Sequence, residues 1–336
     1  MDYRLKENRR EAFIRWYAWS LEYKDCDPAV WLTNYINKRY NHNEEQKLWL
    51  CWLYGNTYYL PTSWILMNEF PDFELATSDR ITNWNTENYS RLRYQTDTKW
   101  NKGHLPSMFV SYQEFIGNKT QKEVLESYYG DNEQKSFDNL FSAIKTKLHK
   151  FGRYSTWFYL QHLAETAEIK VVPTSLFLSD FQGSKSHRNG LILALSQDHL
   201  LNEKLTTKEY QSLEKQAIQI LIEIKERFPN LNPNLFTMET ALCSFKKLFR
   251  ISKGRYLGYY LDRQSEEISK CQSDNWNGLD WNVLWQARSE SLHQSLSNKS
   301  TIQKYKFSSF LNHGILDNLN MMFLSDKIIL NLESFF

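Results

Sequence analysis

Residues 148–163 read LHKFGRYSTWFYLQHL, and this stretch decides how the middle of the chain is interpreted. Apolar residues at helical spacing lead into it from Phe137 to Leu148, which predicts an amphipathic helix. Phe151-Gly152 interrupts the pattern, and a second helical pattern begins at Arg153. Glycine permits a positive φ and a close approach to a phosphate, and the first turn of the second helix offers free amide groups to an anion. The stretch therefore predicts a helical hairpin.

The composition of the whole chain favours a mainly α protein. The 336 residues include 11 Gly and 7 Pro, whereas average usage would give roughly 24 and 17. Aromatic residues make up 15% of the chain, so a substantial buried core is expected. Further helices are predicted at residues 8–23, 44–54, 61–70 and 207–228, the last with a capping box formed by Thr206 and Glu209. Short strands are possible at 170–172 and 191–195, although a helix fits the second equally well.

The polar stretch 117–135 suggests the division of the chain. We expect an N-terminal aromatic-rich helical region in residues 1–130, a catalytic region in residues 131–290 and a C-terminal extension in residues 291–336. No internal repeat is visible.

Several classes of protein are disfavoured. No stretch reaches about 18 uninterrupted apolar residues, so no membrane partner is expected, and the first residues lack the apolar region of a secretory signal. The four cysteines (Cys26, Cys51, Cys243 and Cys271) lie far apart, which favours reduced cytosolic thiols over disulfides or a zinc site. The glycine patterns of P-loop and Rossmann proteins are absent.

Positive charge is concentrated although the net charge is only +2. Four short windows, 91–104, 145–153, 183–190 and 246–255, carry the basic excess together with aromatic residues. Basic side chains interleaved with aromatic ones suit a surface that follows phosphates and stacks on bases. The alternative is a solvated face of lysines whose aliphatic stems cover apolar surface.

The window 183–190 reads GSKSHRNG and predicts a tight polar loop. Its Lys, His and Arg side chains, set among small residues, are suited to surrounding an oxyanion. An ordinary surface loop is the alternative. The hairpin at residue 152 similarly resembles a degenerate helix-hairpin-helix, the element that holds the DNA backbone in base-excision glycosylases. Because it lacks the fuller Gly-x-Gly pattern, an ordinary helical hairpin with a glycine C-cap remains the alternative.

Nine stretches of the sequence resemble the alpha-glutamyl/putrescinyl thymine pyrophosphorylases of bacteriophages, also called amino acid:DNA transferases. They are CDPAVWLTNY (26–35), LWLCWLYGNTYYLPTSW (48–64), NEFPDFE (68–74), RLRYQTDTKWNKGHLP (91–106), FGRYSTWFYL (151–160), GSKSHRNGL (183–191), METALCSFKKLF (238–249), GRYLGYYLDRQ (254–264) and LDWNVLWQARSE (279–290). The resemblance implies a helical domain like that of the helix-hairpin-helix DNA glycosylases, acting in the cytoplasm of an infected bacterial host.

The resemblance also implies a reaction. The acceptor would be double-stranded DNA carrying pyrophosphorylated 5-hydroxymethyluracil, and the donor a free amino acid or polyamine whose amine displaces pyrophosphate. A leaving pyrophosphate needs fixed cations. The candidates for binding pyrophosphate or DNA phosphate are Arg91, Arg93, Lys99, Lys102, Arg153, Lys185, Ser186, Arg188, Lys246, Lys247 and Arg255. Magnesium could bridge the pyrophosphate, but the sequence shows no convincing metal-binding cluster.

The attacking amine must lose a proton to a carboxylate or histidine. The candidate catalytic residues are Asp180, Asp97, His187 and Glu239, with Asp262 as a further acid. Asp180 is preferred by analogy with glycosylases, which place an acid shortly after the hairpin; its alternative role is a helix cap or turn, and that of Asp97 is a salt bridge. Trp100, Trp157, Tyr256 and Tyr259 are candidates for stacking on a flipped base, or else core residues. A base glycosylase and a non-catalytic protein that binds modified DNA are the competing functions.

Overall fold

The computed structural model describes residues 5–180, 185–247, 249, 260–276 and 278–291, without the side chains of residues 261 and 262. Within these residues the protein is mainly helical, as predicted, and no strand is present. The α-helices are α1 (Arg9–Glu22), α2 (Pro28–Arg39), α3 (Glu44–Thr57), α4 (Leu60–Glu69), α5 (Ser78–Asn88), α6 (Leu105–Ile116), α7 (Gln121–Glu126), α8 (Glu133–Lys147), α9 (Arg153–Thr166), α10 (Ser186–Ala194), α11 (Thr207–Arg227), α12 (Leu235–Lys247), α13 (Tyr260–Ser273) and α14 (Asn282–Ser291).

The local signals in the sequence explain where many helices begin. The predicted capping box of α11 is present: the Glu209 amide donates to Thr206 Oγ1 at 3.3 Å, and the Thr206 amide donates to Glu209 Oε2 at 2.6 Å. Asn43 and Gln46 cap α3 in the same way. The helices predicted at 8–23, 44–54, 61–70 and 207–228 are confirmed as α1, α3, α4 and α11.

Neither possible strand forms, and the helix that fitted residues 191–195 equally well is present over residues 191–194. Residues 191–194 form the second half of α10, and residues 170–172 have no regular secondary structure. A short apolar run fits a buried helix as well as a strand. In α10 the residues Leu191, Ile192 and Ala194 are all buried, so tertiary packing selects the helix.

Aromatic side chains from distant parts of the chain share one core. Trp52 of α3 stacks on Tyr112 of α6, with ring centroids 4.8 Å apart. α3 also packs along α9, and α1 along α12. Helices from the beginning of the chain are therefore packed directly against those that carry the predicted site residues.

The hairpin of α8 and α9 forms as predicted, but its turn differs from the expectation. Gly152 is the N-cap of α9 with φ −80°. The positive φ of 62° belongs to Lys150 instead. Lys150 thus makes the reversal after α8, and Gly152 leaves open space before α9, since a Cβ there would meet no atom within 4 Å.

The described residues contain no helix that combines the length and the apolar character needed to cross a bilayer.

Candidate active site

Three helices bring predicted site residues from separate stretches of sequence to one place. We call Arg153 of α9, His187 and Arg188 of α10, and Glu239 and Lys246 of α12 the α9–α10–α12 cluster. Arg153 Nη2 donates to Glu239 Oε1 at 3.2 Å, and His187 Nδ1 lies 3.5 Å from the same oxygen. All but Lys246 are buried. The sequence suggested these residues separately, and the fold assembles them.

Burial governs the protonation of this cluster. It raises the pKa of Glu239, an effect that Arg153 partly opposes. Burial and the positive charge of Arg153 hold the pKa of His187 well below its usual range, so this imidazole is neutral at physiological pH. A carboxylate with a raised pKa beside a neutral histidine is suited to accepting a proton.

The stretch 183–190 does not form the predicted polar loop throughout. Residues 183 and 184 lie outside the described residues, whereas Ser186–Asn189 form the first turn of α10. Gly190 permits a close contact: a Cβ built on it would lie 2.1 Å from the Leu242 carbonyl oxygen. This contact holds α10 against α12 and so places His187 beside Glu239.

A second buried acid, Asp27, was not among the predicted candidates. It is the N-cap of α2, yet its side chain makes no capping hydrogen bond, and its backbone lies in the left-handed region with φ 53°. The carboxylate instead accepts hydrogen bonds from Gln161 Nε2 (3.0 Å), Tyr58 OH (3.3 Å) and Thr240 Oγ1. Burial raises the pKa of Asp27 despite these bonds. Strained backbone is often found at functional sites.

Glu165, near the end of α9, supplies a pH-dependent prediction. Burial and the nearby Asp27 raise its pKa from 4.5 to about 7. The folded protein therefore holds a proton that the unfolded chain has released, so this contribution to stability is full below pH 4.5 and is lost as the pH rises through 7. Glu165→Gln imitates the protonated acid. Its free energy of unfolding should exceed that of the wild type by up to about 3 kcal/mol at pH 8 and by much less at pH 5.

Urea denaturation at the two pH values measures this difference. The exposed Glu168 provides the matched control Glu168→Gln, which removes the same charge outside the buried region. A difference between Glu165→Gln and wild type that is equal at both pH values would refute the role assigned to Glu165.

An open cavity of about 560 Å³ lies beside the first basic window. Five basic and two acidic side chains line it: Arg93, Lys99, Lys102, Arg263 and Lys270, with Glu266 and Glu267. We call it the cationic pocket. Burial, and to a lesser extent the neighbouring Arg93, lower the pKa of Lys102. Such a pocket suits a ligand with several negative charges.

Arg263 connects the cationic pocket to the buried acid Asp27. Its guanidinium lies 4.9 Å from the centre of the Tyr58 ring, and Nη2 donates to the Tyr58 carbonyl at 3.2 Å. The Tyr58 hydroxyl in turn donates to Asp27. Tyr154 of α9 packs edge-on against Tyr58, with ring centroids 5.1 Å apart. Thr240, the residue after Glu239 in α12, donates a hydrogen bond to Asp27. The pocket and the cluster are thus neighbouring parts of one site.

Other predicted basic and acidic residues lie around the site or away from it. Asp180, the preferred catalytic acid, forms an ion pair with Lys145 of α8. Arg93 pairs with Asp274, with 2.7 Å between Nη2 and Oδ1. The Arg91 guanidinium lies 4.1 Å from the centre of the Trp276 ring.

The remaining predicted lysines lie at the ends of α10 and α12. Lys246 Nζ donates to Ser186 Oγ at 3.3 Å, and Lys247 Nζ donates to the Tyr260 hydroxyl at 3.3 Å. Lys185 is the exposed N-cap residue of α10.

The two described stacking candidates differ in exposure. Trp100 is 73% exposed and has Lys99 Nζ 4.8 Å above its ring, so it is available to a ligand. Trp157 is completely buried against Phe137 and Phe236 and is part of the core. The other candidates, Arg255, Tyr256 and Tyr259, lie outside the described residues, as does the Asp262 side chain.

Within the part of the chain that the structure describes, no group of three His, Cys, Asp or Glu side chains is placed to hold a metal ion.

Two residues of the site, Asp27 and Arg263, were not predicted from the sequence. Asp27 precedes Pro28, and Asp-Pro at the start of an apolar helix is typical of an exposed helix cap. Nothing local signals that its carboxylate turns inward to Thr240, 213 positions away. Arg263 lies four residues before Glu267 on α13, a spacing typical of a helical surface pair.

A family model described as "Amino acid:DNA transferase" matches residues 13–253, more than half of the chain. A protein of Salmonella phage ViI named "Serinyltransferase" is 26% identical over 348 aligned residues, which cover 94% of this chain and 83% of that protein. No solved structure matches the chain.

Proposed function

The chain belongs to the amino acid:DNA transferase family and is a transferase that modifies DNA with an amino acid; we propose that its acceptor is pyrophosphorylated 5-hydroxymethyluracil in double-stranded DNA of the infected bacterial cell. The amine nitrogen forms a bond to the 5-methylene carbon. The carbon–oxygen bond breaks, its electron pair leaves with pyrophosphate, and the amine gives up one proton. The observation that carries this proposal is the meeting of a multiply cationic pocket with buried carboxylates in one site.

The cationic pocket is the proposed place for the leaving pyrophosphate. Several fixed cations stabilise the negative charge that grows on the departing oxygen. Lys99 and Lys102 supply them, together with Arg93 and Arg263, which are also paired with Asp274 and Glu267. The volume of about 560 Å³ leaves room for a pyrophosphate and part of a nucleotide.

Glu239 is the proposed acceptor of the amine proton. It is buried, its pKa is raised by burial, and it is bonded to Arg153, which can stabilise its charged form. Asp27 is a second acid in the same site, but its carboxylate already accepts three hydrogen bonds. We therefore assign Asp27 to positioning, through Tyr58 and Gln161, rather than to proton transfer. Asp180, with its ion pair to Lys145, is a weaker candidate than it was from the sequence.

The exposed face around Trp100 is the proposed DNA surface. Lys99 lies over the Trp100 ring, and Lys102 lies 4.4 Å from the centre of the exposed Tyr89 ring. Basic side chains neutralise phosphates, while an exposed tryptophan offers a plane for a base. We also propose a relationship to the helix-hairpin-helix glycosylases, which the helical hairpin of α8 and α9 supports.

Removing Lys99 and Lys102 should change the salt dependence of DNA binding. Each released phosphate contact contributes about 0.9 to the slope of log K against log salt, so the double alanine variant should bind with a slope shallower by about 1.8. Trp100→Ala should weaken binding with little change in slope, because stacking releases no counterions. Fluorescence anisotropy of labelled duplex DNA at several salt concentrations measures both quantities.

Lys215→Ala is the matched control, because Lys215 is exposed on α11. An unchanged slope in the double variant would place the DNA elsewhere on the protein.

Release of pyrophosphate tests the proposed reaction. The protein is incubated with duplex DNA carrying the pyrophosphorylated base and with single amino acids, beginning with serine because the Salmonella phage ViI relative is named for it. Pyrophosphate and a new nucleoside of the matching mass should appear together. Abasic sites formed without added amine would instead indicate a glycosylase. Absence of any product with every amino acid and polyamine would refute the proposed acceptor.

A further inference from the structure

Arg153 is a buried guanidinium with unused hydrogen-bonding capacity. Its side chain is completely buried, and Nη2 donates to Glu239. Nε and Nη1 are also buried, and neither has a hydrogen-bond partner in the described part of the chain. Arginine remains charged under all physiological conditions, so unmet donors of this kind are costly unless an acceptor binds there.

A second unpartnered group lies on the same face of α9. Thr156 is fully buried, and its Oγ1 has no hydrogen-bond partner among the described residues. Positions three apart on a helix are neighbours, so Thr156 lies beside Arg153. The first turn of α9 adds amide groups of its own, and the space before Gly152 is open. These donors together match the oxygens of an anion.

Glu239 places a negative charge next to these donors. Its Oε1 lies 3.2 Å from Arg153 Nη2 and 3.5 Å from His187 Nδ1. A buried site that presents one guanidinium and one carboxylate side by side matches a ligand with one negative and one positive group close together. An α-amino acid is such a ligand, since one carbon separates its carboxylate from its ammonium.

We propose that Arg153 and Thr156 hold the carboxylate of the incoming amino acid while Glu239 receives its amino group, so that this subsite selects α-amino acids over polyamines. The inference rests on the proposed function and defines its donor. A polyamine has no anion to offer Arg153, and the further positive charges of Arg188 and Lys246 would repel it. The multiply charged pyrophosphate is left to the cationic pocket, where Lys99 and Lys102 add positive charge beyond the ion pair of Arg263 with the buried Glu267.

Binding without DNA tests the subsite independently of the acceptor. Thermal shift and calorimetry are performed on the full-length wild type with each amino acid, with the corresponding amine lacking the carboxylate (ethanolamine for serine), with putrescine and with pyrophosphate. One or more amino acids should stabilise the protein, whereas their amines and putrescine should not. Arg153→Met should abolish this stabilisation and retain that by pyrophosphate.

Turnover provides the second readout. In the wild type, kcat/KM for the amino acid should exceed that for its decarboxylated amine by about 100-fold, as expected for loss of a charged hydrogen-bonded pair. Arg153→Met should lower kcat/KM for the amino acid about 100-fold more than kcat/KM for the amine, because both donors lose the support that Arg153 gives to Glu239 but only the amino acid loses a partner for its carboxylate. Arg9→Met is the matched control, because Arg9 is another buried arginine with an acidic partner, Asp198, at 2.6 Å.

Thr156→Val is the second variant, used if Arg153→Met fails to fold. Valine preserves the shape of threonine but removes its hydroxyl, so KM for the amino acid should rise about 10-fold. Efficient transfer of the decarboxylated amine by the wild type, or an unchanged KM in Thr156→Val and Arg153→Met, would overturn the subsite. If amino acids bind as described but no product forms on the modified DNA, the proposed acceptor is wrong and the proposed amino acid subsite is still supported.

Discussion

Replacing Glu239 by glutamine is expected to reduce single-turnover formation of the modified nucleoside by about 100-fold to 10,000-fold, the usual contribution of a positioned acid or base. Glutamine has the same shape and can still accept a hydrogen bond from Arg153, but it cannot take the proton of the amine. DNA affinity should remain close to that of the wild type, since Glu239 is buried. Mass spectrometry of nucleosides measures the rate, and fluorescence anisotropy measures binding.

The loss of charge at Glu239 also has a structural cost, which must be separated from the chemical one. Breaking a buried ion pair by removing one partner costs about 3–5 kcal/mol, because the other charge is left uncompensated. Urea denaturation of Glu239→Gln is therefore measured beside its activity, at a temperature where the variant is folded. Glu45→Gln is the matched control: Glu45 accepts hydrogen bonds from the amides of Gln121 and Lys122 at the start of α7, away from the site. Wild-type turnover in folded Glu239→Gln would exclude Glu239 as the base.

Replacing Gly190 by alanine is expected to destabilise the protein by about 3 kcal/mol and to lower turnover strongly. The added Cβ would lie 2.1 Å from the carbonyl oxygen and 2.7 Å from the carbonyl carbon of Leu242. Both are backbone atoms, so α10 and α12 must move apart. Overpacking of this kind costs typically about 1–3 kcal/mol and occasionally more, which outweighs the gain of about 1 kcal/mol in helix propensity.

The activity falls because the same two helices carry the cluster. Separating α10 from α12 moves His187 away from Glu239, and a displacement of about 1 Å can cost 100-fold in rate. Urea denaturation and single-turnover assays measure the two effects. Gly103→Ala is the control for stability, because the nearest atom to its added Cβ, the Tyr89 hydroxyl oxygen, is 3.8 Å away. Wild-type stability in Gly190→Ala would show that the helices tolerate separation.

The elements that could be predicted are those defined by short-range interactions. The capping boxes of α3 and α11 involve residues three positions apart, and the apolar stripe of α11 repeats at helical spacing. Both can be recognised in a sequence window of a few helical turns. The same locality explains why a strand and a helix fitted residues 191–195 equally well, since a five-residue apolar run contains no information about what packs against it.

The site was predictable only in its parts. Basic windows in the sequence indicated Arg153, His187 and Lys246 but not their proximity. Asp180 has the right sequence position for a catalytic acid by analogy, yet Lys145 is near enough to pair with it. Trp157 looks like a stacking residue in the sequence, but it is surrounded by core aromatics.

The sequence by itself therefore determined that the protein is mainly helical and where α1, α3, α4 and α11 lie. It also showed that positive charge is segregated and that the chain resembles a family that modifies DNA. Only the tertiary structure decided which charges meet: Arg153 with Glu239 across 86 positions, and Asp27 with Thr240 across 213. The physical reason is that caps and helical periodicity depend on neighbours within four residues. A buried ion pair depends instead on how closely two helices approach, and at α10 and α12 that distance is set by the missing side chain of Gly190.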